Sequence, residues 1–424
     1  MANKLDGVLI MLNGKNILEE YFNGHTADTR HMGFSMTKSW VGLMAKMLIE
    51  DKLLDEDALI ADIVPALKGS GYDGATVRDA LSMRVALAFD EQPPDCNETA
   101  MWAEISEAVA SAIDAFESTG TYSIKYPIVK HCELMQLTIP SPHFSGIWAK
   151  YHALAWNERV GVPYQPGPQT VREFIQLLKN DSSRVHGHQR AIEYDGFSYQ
   201  SAVTEALAWV IDATLSNTSG SAGIERASDY FVQKLWSKLG QGTDAMIALD
   251  GAQSPLWLAG SSATLPDMAR MGQMLLQGGK NKRGEQVVHP AIVDDLHHPP
   301  AEYLPNAGCY SSGADMGYYN QFWVGRYSTS DLGDDFVPKE ESWFRMAGRF
   351  NQLVFVFPYL NLTVAQHANN EDYNEWVDTC EEIMFYEQLA MYILCHEKCY
   401  HWCGKKVTES WVTFSEEWFP APKC

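Results

Sequence analysis

The sequence predicts an α/β fold in which an antiparallel sheet flanked by helices is assembled from both ends of the chain, with a helical lobe inserted between them. Three observations carry this: a hairpin pattern at the N-terminus, strand patterns between residues 320 and 365, and helix-rich sequence in the middle. Leu5–Leu12 and Ile17–Phe22 read as strands joined through Asn13-Gly14, a pair that favours the left-handed backbone of a tight hairpin turn. From Trp40 to Leu54 apolar residues recur at helical spacing (Val41, Met44, Ala45, Leu48, Ile49), which predicts a helix after the hairpin. Asn320–Val324, Leu353–Phe357 and Leu362–Ala365 read as strands, the last two separated by a Pro358–Asn361 turn. The apolar-periodic run from Asp372 to Leu394 is the helix expected to pack on the sheet. The expected organisation is an α/β lobe of residues 1–64 and 315–394, a helical lobe of 65–314, and a tail of 395–424 rich in Cys and aromatic residues. A cleft between the lobes is the expected ligand site.

Ser35-Met36-Thr37-Lys38 stands between the hairpin and the apolar helix. Residues three apart on a helix share a face, so Lys38 can reach Ser35. A serine hydroxyl is a poor nucleophile unless a base lies within hydrogen-bond reach, and a desolvated lysine with a lowered pKa can serve. The helix N-terminus adds unpaired N–H groups that favour an anionic intermediate. The competing reading makes Ser35 a helix cap and Lys38 a solvated residue.

The flanking residues narrow the choice. Arg30-His31-Met32-Gly33-Phe34-Ser35-Met36-Thr37-Lys38-Ser39 and Leu67–Arg78 resemble the serine β-lactamase and penicillin-binding superfamily, and within it the 6-aminohexanoate-dimer hydrolases and related esterases. Gly196–Thr204, Ala259–Gly272 and Gln321-Phe322-Trp323 follow in the same order. The resemblance implies a β-lactamase-like fold and a serine hydrolase that cleaves a carboxylic ester or small amide through an acyl-enzyme, without metal or organic cofactor. It implies Ser35 as nucleophile, Lys38 as base and Tyr199 as proton relay, with the backbone N–H groups of Ser35 and Arg349 as oxyanion hole. Ser201 would orient the site, Gly348 would let substrate approach closely, and Trp323 would line the acyl pocket or serve the core. Glu91 lies where nylon-oligomer-cleaving members carry an acid, but Pro93 and Tyr151 replace the tyrosine and aspartate expected nearby. Met346-Ala347-Gly348 stands where penicillin-recognising members carry Lys-Thr-Gly, which removes the usual anchor for a β-lactam carboxylate and leaves the Arg349 side chain as a substitute anchor or an ordinary strand residue. The stretch from about 95 to 168 is longer than in relatives and would form a lid. Thr264-Leu265-Pro266-Asp267 reads as a helix-capping box, which makes Asp267 structural. A non-catalytic binding or structural protein on the same fold is the rival reading; the presence together of Ser35, Lys38 and Tyr199 argues against it.

Composition fits a large enzyme. With 424 residues, 46% hydrophobic and 20% charged, the chain can bury a substantial core. A net charge of −22 with no basic cluster argues against nucleic acid or an anionic membrane as partner, leaving a small-molecule substrate and, as an open arrangement, a homodimer. No stretch reads as a signal or membrane span, so a cytoplasmic location is expected. The start lies almost on the first strand, where relatives carry a preceding segment, so a trimmed N-terminus would hide any targeting signal. Eight cysteines do not define a disulfide framework here. Cys395, Cys399 and Cys403 could share a helix face as zinc ligands or as packing. Neither H-E-x-x-H nor G-x-S-x-G occurs.

Overall fold

Asn13 and Gly14 both adopt left-handed backbone, with φ of 51° and 75°. This geometry matches the right-handed twist of paired strands, so β1 (Leu5–Leu12) turns directly into β2 (Lys15–Tyr21) with Leu12 opposite Lys15. The computed structural model describes residues 4–88, 170–181, 186, 197–218, 224–250, 253–304, 315–327, 341–369 and 389. The chain divides into two compact units: Met1–Glu50 with Phe231–Ala245 and Ser262–Cys424, and Asp51–Tyr230 with Met246–Ser261.

The first unit holds a seven-stranded antiparallel sheet. Besides β1 and β2 its strands are β6 (Asp315–Tyr319), β7 (Phe322–Tyr327), β8 (Glu341–Gly348), β9 (Gln352–Phe357) and β10 (Leu362–Ala368), in the order β2-β1-β10-β9-β8-β7-β6. Pairing of β1 with β10, from Leu5 opposite Ala368 to Leu12 opposite Leu362, joins the two ends of the chain. Every residue of β9 and β10 is buried, the pattern of central strands covered on both faces. Val8, Ile10, Trp343, Phe355, Phe357 and Leu389 belong to the apolar cluster on one face. On the other, α6 (Leu265–Leu276) lies so close that a Cβ on Gly272 would come within 2.5 Å of Val354 and 2.7 Å of Thr363. α1 (Met36–Glu50) is buried on nearly every side, which explains its apolar circumference. It starts before Trp40 and stops at Glu50 rather than Leu54, because Lys52 turns left-handed at φ 60°.

Two expectations are corrected. Asn320–Val324 is not one strand: Asn320 and Gln321 have φ of 52° and 65° and form the two-residue turn between β6 and β7, with Tyr319 opposite Phe322. Nor does the helical unit run to residue 314. Residues 262–264 of β5 (Ser261–Thr264) pair antiparallel with β3 (Arg30–Met32), placing His31 opposite Ala263, and α6 and α7 (Pro290–His297) stay with the sheet. The helix expected over Asp372–Leu394 lies outside the described residues, apart from the buried helical Leu389.

The second unit centres on α5 (Ser201–Asn217), contacted by α2 (Ile60–Ile63), α3 (Val77–Leu81) and α4 (Val171–Leu177). α3 and α4 each start with a complete capping box, Thr76 with Asp79 and Thr170 with Glu173. The Tyr72 hydroxyl donates to the Ala202 carbonyl at 2.9 Å, which fixes the start of α5. The short strand β4 (Met246–Ile247) leads into a loop held by buried Asp250, whose carboxylate accepts from the Val171 and Ser254 N–H groups.

Candidate active site

The segment Gly33-Phe34-Ser35 joins β3 to α1 through a sharp bend. Phe34 has φ 48°, an uncommon conformation for a bulky side chain and one that recurs where surrounding structure forces it. Tight i→i+3 bonds from Met36 N to Gly33 O (3.1 Å), Thr37 N to Phe34 O (3.0 Å) and Lys38 N to Ser35 O (3.0 Å) open the helix. The Thr37 hydroxyl also donates to Phe34 O at 2.6 Å. These bonds set the sequence-predicted pair in place: Lys38 Nζ lies 3.0 Å from Ser35 Oγ and donates to it. Ser35 is half-buried and Lys38 is fully buried, so the solvated-lysine reading fails.

Two close approaches hold this corner of the sheet unit. A Cβ on Gly42 of α1 would sit 2.2 Å from the Asn320 carbonyl oxygen, and the Ser39 hydroxyl donates to Gln321 O at 2.8 Å. The β6–β7 turn is thus the floor on which α1 rests. At the end of β8, a Cβ on Gly348 would lie 2.1 Å from the Gly33 carbonyl oxygen and 3.2 Å from Phe34 Cβ. The bare Gly348 therefore makes room for the backbone entering Ser35, a different use from the close substrate approach expected of it. Among the described residues no acceptor pairs with the Ser35 N–H, which is free to serve as an oxyanion donor. Arg349 follows Gly348, and its guanidinium lies 5.1 Å from the centre of the Phe350 ring. Met346 is buried and Ala347 half-buried, so neither brings a polar group to the position of the Lys-Thr pair.

Behind the bend, Asp6 is almost fully buried and accepts from Asn23 Nδ2 at 3.0 Å. Its other oxygen meets His31 Nε2 at 3.1 Å. The His31 ring lies 4.9 Å from that of His367, and burial, followed by the neighbouring His31 and His25, pushes the His367 imidazole down to about 3.

In the helical unit Tyr199 is half-buried in the segment leading to α5, whose first residue, Ser201, is fully buried. A bond from Ser198 N to the carbonyl oxygen of Met83, at 2.9 Å, ties that segment down. Trp323 is not brought to Ser35. It sits opposite Arg345, meets Tyr318 edge-on at 5.1 Å and packs on the apolar cluster, on the face of the sheet turned away from Gly272 and α6. Thr264 caps α6 as expected, accepting from Asp267 N, while the Asp267 carboxylate accepts from Gly242 N at 2.7 Å and Thr243 N at 3.0 Å. Glu91, the 95–168 insertion and all eight cysteines lie outside the described residues. The residue missed in sequence is Phe350, whose ring meets Phe34 edge-on at 5.1 Å. Its only signal was an aromatic residue soon after Gly348.

The family model described as Beta-lactamase matches residues 5–122. A curated 6-aminohexanoate-dimer hydrolase from Paenarthrobacter ureafaciens is 25% identical over 315 residues, covering 74% of this chain and 63% of the relative, so the chain spans less than two thirds of that protein's length. Among solved structures, a provisionally assigned 6-aminohexanoate-dimer hydrolase from Bacillus anthracis superposes with a TM-score of 0.62 at 19% identity, covering 92% of this chain and 80% of that one. A family VIII carboxylesterase gives 0.52 at 12% identity, with 90% of each chain covered. These likenesses establish the β-lactamase-like fold, with its antiparallel sheet and flanking helices.

Proposed function

We propose that this chain is a member of the serine β-lactamase and penicillin-binding superfamily, to which its matches point, and a serine hydrolase that cleaves carboxylic esters or small amides through an acyl-enzyme. The observation that carries the reading is the 3.0 Å contact between buried Lys38 and Ser35 at the mouth of α1. Ser35 Oγ attacks the acyl carbon while Lys38, as neutral amine, takes its proton. The Ser35 and Arg349 N–H groups receive the oxyanion. Tyr199 relays the proton to the departing alkoxide or amine. Water then attacks the acyl-enzyme, the carboxylic acid leaves, and Ser35 regains its proton. Ser201 holds the loop that carries Tyr199.

Buried Met346 and half-buried Ala347 supply no charged anchor, so the site favours uncharged acyl groups and alcohol leaving groups. Short-chain esters should be cleaved with a kcat/KM at least about a hundredfold above a β-lactam, roughly 2.7 kcal/mol in transition-state stabilisation. Turnover of p-nitrophenyl butyrate, a 6-aminohexanoate dimer and a chromogenic cephalosporin at equal enzyme tests this. A cephalosporin rate equal to the ester's would contradict the esterase reading and point to the Arg349 side chain as carboxylate anchor.

A further inference from the structure

The two backbone amides assigned to the oxyanion each adjoin a phenylalanine: Phe34 precedes Ser35 and Phe350 follows Arg349. Both phenylalanines are half-buried, and their rings meet edge-on at 5.1 Å. Both also hold left-handed backbone, φ 48° and 59°, and Asn351 follows at 74°. Nothing in phenylalanine favours that conformation, so the surroundings impose it at both places. Between the rings the chains are in backbone contact, because Gly348 has no Cβ to hold off the Gly33 carbonyl. The Phe350 ring carries the Arg349 guanidinium at 5.1 Å, so it touches side chains belonging to both amide-bearing segments.

We propose that Phe34 and Phe350 are positioning residues that clamp the nucleophile bend to the β8–β9 turn and so set the spacing of the Ser35 and Arg349 N–H donors. The proposal rests on the serine hydrolase reading above. An edge-on aromatic pair has a preferred separation and angle, which suits it to fixing two loops against each other. Donor placement matters steeply: a displacement of about 1 Å near a reacting centre can cost on the order of a hundredfold in rate. Substituting the rings leaves Ser35 and Lys38 themselves in place, so the pH profile of turnover should be kept.

Phe350→Gly separates this role from backbone strain, because glycine adopts φ near 60° without strain and the variant should still fold. Phe350→Gly and Phe350→Ala should lower kcat for p-nitrophenyl butyrate by roughly ten- to hundredfold, with KM little changed and the same pH profile. The ratio of rates on this ester and its thiono analogue reads the oxyanion hole directly, since sulfur fits and accepts poorly there; it should fall toward one in both variants. Phe350→Tyr keeps the ring and should keep rate and ratio. A folded Phe350→Gly enzyme with parental kcat and ratio overturns the clamp, as does a lower kcat with an unchanged ratio. A parent enzyme that turns over no ester and takes no fluorophosphonate label at Ser35 overturns the hydrolase reading itself, and the clamp with it.

Discussion

At the scale of the residue, the chemistry depends on a lysine kept out of water. Lys38 is fully buried and its amine touches Ser35 Oγ, so removing the amine while keeping the stem isolates its role. Lys38→Met should fold, since an unbranched apolar chain fills the same space, and should lose at least about a hundredfold in ester turnover, the usual worth of a positioned base. Steady-state rates across pH check this; a variant with near-parental rate and an unchanged profile would remove Lys38 from the mechanism. The pair was legible in sequence because it depends on local geometry, two residues one helical turn apart. Trp323 was not, because the side of a sheet a residue faces follows from register, and here its neighbours in β6 and β8 turn it toward the apolar cluster.

At the scale of the element, glycines decide how closely the pieces fit. Gly348→Ala puts a methyl group 2.1 Å from a backbone oxygen of Gly33, a neighbour that cannot rotate away. Overpacking of this kind should cost about 2 kcal/mol or more. Urea unfolding should show the lowered midpoint, and ester turnover should fall with it because the displaced bend carries Ser35. Stability and rate at parental values would mean that the two segments do not lie in contact. Turn chemistry explains which elements could be read in advance. Asn13-Gly14 announces its hairpin, whereas Asn320-Gln321 makes the same left-handed turn without glycine and amid aromatic residues, and so passed for strand. That misread turn is the one supporting α1 through Ser39 and Gly42.

At the scale of the whole molecule, the sheet unit contains two histidines held neutral by their surroundings. Burial, then the adjacent His298, brings the His297 imidazole down to about 4, with its ring stacked 5.5 Å from Phe344. His367 is brought lower still, to about 3. An unfolded imidazole titrates near 6.5, so between that value and the folded ones the unfolded chain binds more protons. Stability is therefore full above about pH 6.5 and is lost as the pH falls toward 4 and below. Urea midpoints at pH 7.5, 6 and 5 should fall in that order, and His297→Gln should flatten the decline; equal midpoints would contradict the assignment. No helix among the described residues is long and apolar enough to cross a membrane. The division of the chain was only partly legible: both ends were seen to build one sheet, but the return of residues 262–304 to it depends on β3–β5 pairing and on Gly272, neither of which has a local signature.

The central claim is that Ser35 is the nucleophile, and covalent labelling tests it most directly. The intact protein should react with a fluorophosphonate, and peptide mass spectrometry should place one adduct on Ser35. The label should be absent from Ser35→Ala, whose fold should survive because the loss of a single hydroxyl at a helix start costs only about 1 kcal/mol. An adduct on another serine, or a folded protein that takes no label, would contradict the account.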